Sequence, residues 1–133
     1  MRSKVLSNVI YDYHKLCKDV KNLDKKIKFA GIINERGRLV ASEIKNDVHI
    51  ISKKDEELLF MELALRVRMR KDFEEQLGKV KYSMTVRDEH IGMNFPIKTD
   101  FLYISTEPDV DVIELSDKII KTINLQEIAV KRI

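Results

Sequence analysis

The longest unbroken pattern in the chain runs from Asp55 to Leu77, DEELLFMELALRVRMRKDFEEQL, with no glycine or proline before Gly78. Leu58, Met61, Leu65, Met69, Phe73 and Leu77 recur there at steps of three and four, the spacing that puts side chains on one face of an α-helix. That stripe predicts the face laid on the protein's own sheet. A second apolar set, Leu59, Phe60, Leu63, Ala64 and Val67, falls on the back of the N-terminal half, where a one-sided surface helix carries charges. A helix apolar on both sides needs a second cover, so this set predicts an outward patch. Ser52 opens the helix as an S-x-x-D capping signature, Asp55, Glu56 and Glu57 suit its N-terminal dipole, and Gly78 closes it.

The rest of the chain divides by period. From Ser3 to Leu23 the residues Val5, Leu6, Val9, Ile10, Tyr13, Leu16, Cys17, Val20 and Leu23 form a helical stripe. Two β-rich runs, 27–34 and 38–44, flank Glu35-Arg36-Gly37, where Gly37 supplies the left-handed residue of a hairpin turn. The first run is apolar or small on both faces, which predicts a central strand, with Gly31 marking close approach of a helix or a neighbouring backbone. Residues 45–52 read as an irregular, partly packed connection. Beyond Gly78 the period is two: Val80, Tyr82, Met84 and Val86 face one way and Lys79, Lys81, Ser83, Thr85 and Arg87 the other. A fourth strand has Ile91, Met93 and Phe95 inward and ends at Pro96, and a fifth spans 99–106. After Pro108-Asp109 a last helix buries Val112, Ile113, Ser116, Ile119, Ile120 and Ile123, and residues 124–133 either extend it or add a short strand. The resulting order, α-β-β-α-β-β-β-α, is an α+β fold: a five-stranded antiparallel sheet sandwiched between helices in a single domain, 1–133.

Length and charge narrow the function classes. At 133 residues the chain buries about two-thirds of its unfolded surface without staples. Its single cysteine, Cys17, has no partner for an internal disulfide, which points to a reducing compartment. There is no apolar run of about eighteen residues and no signal-peptide pattern, so a cytoplasmic protein without membrane insertion is expected. Residues 1–28 hold eight lysines and arginines against three aspartates, although the whole chain is only +3. A solvated basic helix face accounts for this more simply than a nucleic-acid footprint, and nucleic acid is not the expected partner.

Catalytic chemistry is sparse. His14, His49 and His90 are scattered with no second His or Cys at zinc-pair spacing, so no metal, cofactor or catalytic residue is expected and the chain does not read as an enzyme. Cys17 lies on the apolar side of its helix and reads as a small buried hydrophobe. Asp109, Asp111, Glu114 and Asp117 complement a helix dipole and lack the glycine and spacing of a calcium loop. Arg66, Arg68, Arg70 and Lys71 fan round their helix among Glu62, Asp72, Glu74 and Glu75. They read first as ion-paired surface and second as a candidate docking site for an acidic partner.

Two stretches carry a family resemblance. FAGIINERGRLVAS is similar to the first hairpin, and FLYISTEPDVDVIELSDKII to the last strand and last helix, of the roadblock/dynein light chain family with its profilin- and longin-like fold. The resemblance implies a dimer, with itself or a paralogue, in which two sheets join edge to edge and the second helices pack side by side. It implies Leu59, Phe60, Leu63, Ala64 and Val67, with Val80, Tyr82 and Met84, as the interface, so that Leu63→Asp is expected to dissociate it. It also implies a non-enzymatic scaffold or regulator, with a Ras-like small GTPase or a larger complex as partner. The apolar 45–52 connection and the highly charged end of the second helix depart from the family pattern. An alternative reading of the same topology is a small-molecule-sensing domain with a cavity bordered by Gly31, Gly92 and Met93. The third is nucleic-acid binding through the N-terminal lysines and helix-two arginines.

Overall fold

The structure, a computed structural model, describes residues 12–45 and 51–131. Its elements are α1 (Tyr13–Lys21), β1 (Ile27–Ile33), β2 (Leu39–Ile44), α2 (Lys53–Arg70), a 3-10 turn (Lys71–Phe73), a short α3 (Glu74–Leu77), β3 (Ser83–Val86), β4 (Ile91–Ile97), β5 (Asp100–Thr106) and α4 (Val112–Lys131). The strands form one sheet in the order β2-β1-β5-β4-β3, and every neighbouring pair is antiparallel. The α+β order expected from the sequence is the order observed. Residues 124–131 continue the last helix, the first of the two alternatives.

Alternation on β5 makes the three layers. Leu102 and Ile104 face α1 and α4, where they join Leu16, Val20, Leu115, Ile119 and Ile123 in the larger core. Phe101 and Tyr103 face the other way and meet Phe60, Leu63 and Ala64 of α2, with Ile33 of β1. Every residue of β5 is buried because both faces are covered. On β4, Ile91, Met93 and Phe95 point inward as expected, but Pro96 does not end the strand. Pairing with β3 stops at Asn94, so Pro96 sits where β4 has no ladder to serve on that side.

Local chemistry sets the element ends. Ser52 Oγ accepts from Asp55 N at 3.2 Å at the start of α2, and Asp12 does the same for Lys15 N at 3.1 Å at the start of α1. Gly78, with φ +86°, follows α3, and its N–H donates to Glu74 O at 2.8 Å. In the β1–β2 turn the Asn34 side chain accepts from Arg36 N and Arg38 N, and Gly37 takes φ +79°. Tyr13 Oη donates to Asp100 Oδ2 at 2.6 Å and fastens α1 to the β4–β5 end of the sheet.

The two faces of α2 are the reverse of the expected assignment. Phe60, Leu63 and Ala64 are buried against the protein's own sheet and Leu59 and Val67 pack beside them. Leu58, Met61, Leu65, Met69, Phe73 and Leu77 are exposed. Both sets have helical spacing, so periodicity could not rank them. What ranks them is shape: Ala64 allows a close approach, and Phe60 fits among the rings of Phe29 and Tyr103, with centroids 6.1 and 6.2 Å away.

Smaller differences have equally local causes. Residues 3–11 of the expected first helix, the 46–50 part of the connection and His49 lie outside the described residues. Strand β3 is short, so Val80 and Tyr82 precede it. On α4, Ile113 is exposed and Leu115 buried, because Leu115, Ile119 and Ile123 set the inward line and Ile113 falls beside it. Gly31 is crowded by side chains, not by a helix: an added Cβ would lie 2.7 Å from the Phe29 ring and 2.9 Å from Leu39 Cδ1.

Candidate interaction surface

An exposed apolar stripe runs along α2, with Met61 resting against the Gly37 turn. Leu58, Met61, Leu65 and Met69 are each more than half exposed, as is Phe73 in the turn that follows. Large side chains left in water on one helix face, in line with one another, are the mark of a surface that another surface covers. Glu62 and Arg66, paired at 3.6 Å, flank the stripe.

The sheet also has an edge strand whose outer side is unpaired among the described residues. The sheet order ends at β3, whose paired neighbour is β4. Met84 and Val86 on this edge are exposed. Arg70 Nη1 donates to Ser83 Oγ at 3.1 Å, tying the end of α2 to the start of β3. Glu62 and Arg66, the pair that flanks the stripe, face Thr85 of β3 across a small groove. An edge strand with open N–H and C=O groups is a template for another strand.

The residues expected at a dimer interface divide three ways. Phe60, Leu63 and Ala64 lie in the core and Leu59 and Val67 are half-buried on it, so this set does not form an outward patch. Tyr82 stacks on Phe95 at 5.5 Å and Val80 is half-buried, which leaves Met84 as the member of the strand set on the surface. A substitution such as Leu63→Asp would place a charge in the core, so it tests folding and not association.

The basic group is dispersed, as its spacing implied. Arg66 pairs with Glu62, Arg70 is spent on Ser83, and Arg68 and Lys71 are exposed. Arg70 and Lys71 also border a groove of about 480 Å³ with Lys79 and Lys98. Along its floor the Asn94 side chain is buried, and its Oδ1 has no hydrogen-bond partner among the described residues.

The remaining candidate chemistry resolves into packing. Burial pushes the Cys17 thiol up to about 12, and its Sγ sits 3.7 Å from Ala41 O. His14 is exposed and His90 Nδ1 lies 3.1 Å from Ser105 Oγ. Asp111 caps α4 by accepting from Glu114 N, while Asp109, Glu114 and Asp117 pair with Lys26, Lys118 and Lys121. Among the described residues no three His, Cys, Asp or Glu side chains converge to hold a metal ion. No described helix is long and apolar enough to cross a membrane.

A sheet in this order, with α2 on one face and α1 and α4 on the other, defines a roadblock-like fold. Solved structures share it. They include the gliding protein MglB of Thermus thermophilus, 8% identical with a TM-score of 0.67 over 96% of this chain and 93% of that one. A Roadblock/LC7 domain of Streptomyces avermitilis is 10% identical, with a TM-score of 0.63 over 86% and 96% of the two chains. MglB of Myxococcus xanthus is 12% identical, with a TM-score of 0.59 over 85% and 95%. At these identities the likeness is one of fold. The chain belongs to DUF6659, a family of unknown function, whose pattern matches residues 6–129. No curated protein matches the sequence.

Proposed function

We propose that this chain is a non-enzymatic interaction module that works as a homodimer, or as a dimer with a paralogue. The observation that carries this reading is the exposed stripe Leu58, Met61, Leu65, Met69 and Phe73, and the edge of β3, unpaired among the described residues, adds a second contact. Pairing two such stripes across a two-fold axis buries both at once, since an isologous contact presents the same patch twice. Edge pairing through β3, with Met84 on the contact, then continues the sheet into the partner. The roadblock-like fold supports the same arrangement by resemblance.

Cysteine cross-linking tests the arrangement. In a Cys17→Ser background, single cysteines at Met61, Leu65 and Met69 should include at least one that oxidises to a covalent dimer, while Leu63→Cys and Ala64→Cys should not. No cross-link from any outer-face position would contradict the arrangement, as would cross-linking from the inner positions.

By the same resemblance, the partner of the dimer is a Ras-like small GTPase or a larger complex that contains one. Arg68 and Lys71, exposed at the far end of α2, are the docking residues this reading favours, with Arg66 and Arg70 beside them. Charge reversal at Arg68 and Lys71 should weaken capture of a small GTPase from the same cell without changing the oligomeric state. Capture unaffected by both reversals would rule out this docking site.

A further inference from the structure

The inward side of α2 holds a second feature, separate from the stripe. A cavity of about 510 Å³ opens between the first turns of α2, strands β1 and β5, the end of β2 and the β3–β4 turn, a size typical of small-ligand pockets. Phe29, Phe60 and Tyr103 line it as a connected ring cluster, each pair with centroids 6.1 to 6.2 Å apart. Rings locked against one another present apolar area that loses little freedom on binding. Leu59, Ile44 and Ile51 complete an apolar lining.

The polar groups are gathered on one side. Lys28, Arg87, His90 and Ser105 line the cavity there, from β1, β5 and the turn between β3 and β4. Lys28 Nζ is 3.4 Å from Glu107 Oε1, an ion pair at the edge of the cavity. His90 resists protonation, through burial first and then through the positive charges of Lys28 and Arg87. Three carboxylates also border the cavity. Asp88 and Glu89 are exposed in the turn, and Glu56 stands toward Tyr103, whose hydroxyl it helps keep protonated.

We propose that this cavity binds a small carboxylate with an apolar body, its head among Lys28, Arg87 and His90 and its body on Phe29, Phe60 and Leu59. The two halves of the site match the two halves of such a ligand. Gly31, Gly92 and Met93, where a cavity was expected from the sequence, do not line it. Met93 is buried on the opposite face of the sheet, and Gly92 borders a pocket of about 40 Å³.

Calorimetric titration of the full chain with decanoate, 1-decanol and decylamine tests the proposal. Decanoate should bind saturably, one per chain, and about tenfold more tightly than decanol, the gain of one charge-assisted hydrogen bond. Decylamine should bind most weakly. Lys28→Gln and Arg87→Gln should erase the preference for decanoate and leave decanol unchanged. Ile44→Trp, at a half-buried position on the cavity wall, should weaken both ligands while the far-UV spectrum stays the same. Absence of saturable binding by all three probes would overturn the proposal, as would equal affinities for decanoate and decylamine. If Ile44→Trp does not fold, the lysine and arginine variants decide the result alone.

Discussion

Phe60 of α2 stacks on Phe29 of β1 with ring centroids 6.1 Å apart and planes 25° from parallel. That contact fixes which side of a doubly apolar helix is core. Removing the ring should cost about 3 to 5 kcal/mol, the range for a buried Phe→Ala change. Urea denaturation of Phe60→Ala measures it, and a midpoint equal to wild type would show that this face of α2 is not core.

Gly37 lies with φ +79° directly against α2, where an added Cβ would be 2.8 Å from Met61 Cα. Gly37→Ala meets strain and a backbone clash together, with no side-chain tip to yield. We expect a loss of about 1 to 3 kcal/mol, read from thermal or urea unfolding. A variant as stable as wild type would mean that the turn does not rest on the helix.

The Tyr13 hydroxyl reaches Asp100 Oδ2 across the α1 face, and Asp100 is buried. Tyr13→Phe keeps the ring and takes one donor from that carboxylate. A destabilisation of about 1 to 3 kcal/mol is expected, with the loss of a hydrogen bond to a buried charged group as its cause. An unchanged unfolding midpoint would show that this bond does not help hold α1.

Stability should fall on both sides of neutral pH. Burial holds the Cys17 thiol at about 12 against an ordinary 9.0, and the Tyr103 hydroxyl at about 12 against 10.0. Above pH 9 the unfolded chain releases these protons while the folded chain keeps them, so stability is lost as pH rises toward 12. His90 is shifted down from 6.5, through burial and then Lys28 and Arg87, so below that pH the unfolded chain takes up a proton that the folded chain resists. Unfolding midpoints measured across the range should be highest near neutrality. A midpoint that stays flat from neutral pH to about 10 would contradict the burial of Cys17 and Tyr103.

Most of the fold could be read in the sequence because changes of period mark its elements. The switch from a helical stripe before Gly78 to alternation after it, and the hairpin at Gly37, locate α2, β3 and the β1–β2 pair. The orientation of α2 could not be read, because Leu58 to Leu77 and Leu59 to Val67 satisfy the same spacing and differ only in what meets them across the sheet. Phe29 and Tyr103 make that choice, from strands far away in sequence. The cavity was equally hidden: Lys28, Arg87 and Ser105 come from separate segments with no shared motif, and only the fold brings them to one corner.

Sedimentation equilibrium of wild type and Leu65→Asp tests the central claim most directly, since Leu65 lies in the middle of the exposed stripe and outside the core. Wild type at micromolar concentration should sediment at twice the 15.6 kDa chain mass, and Leu65→Asp as a folded monomer with unchanged far-UV spectrum. A monomeric wild type, or a dimer that survives Leu65→Asp, would contradict the account.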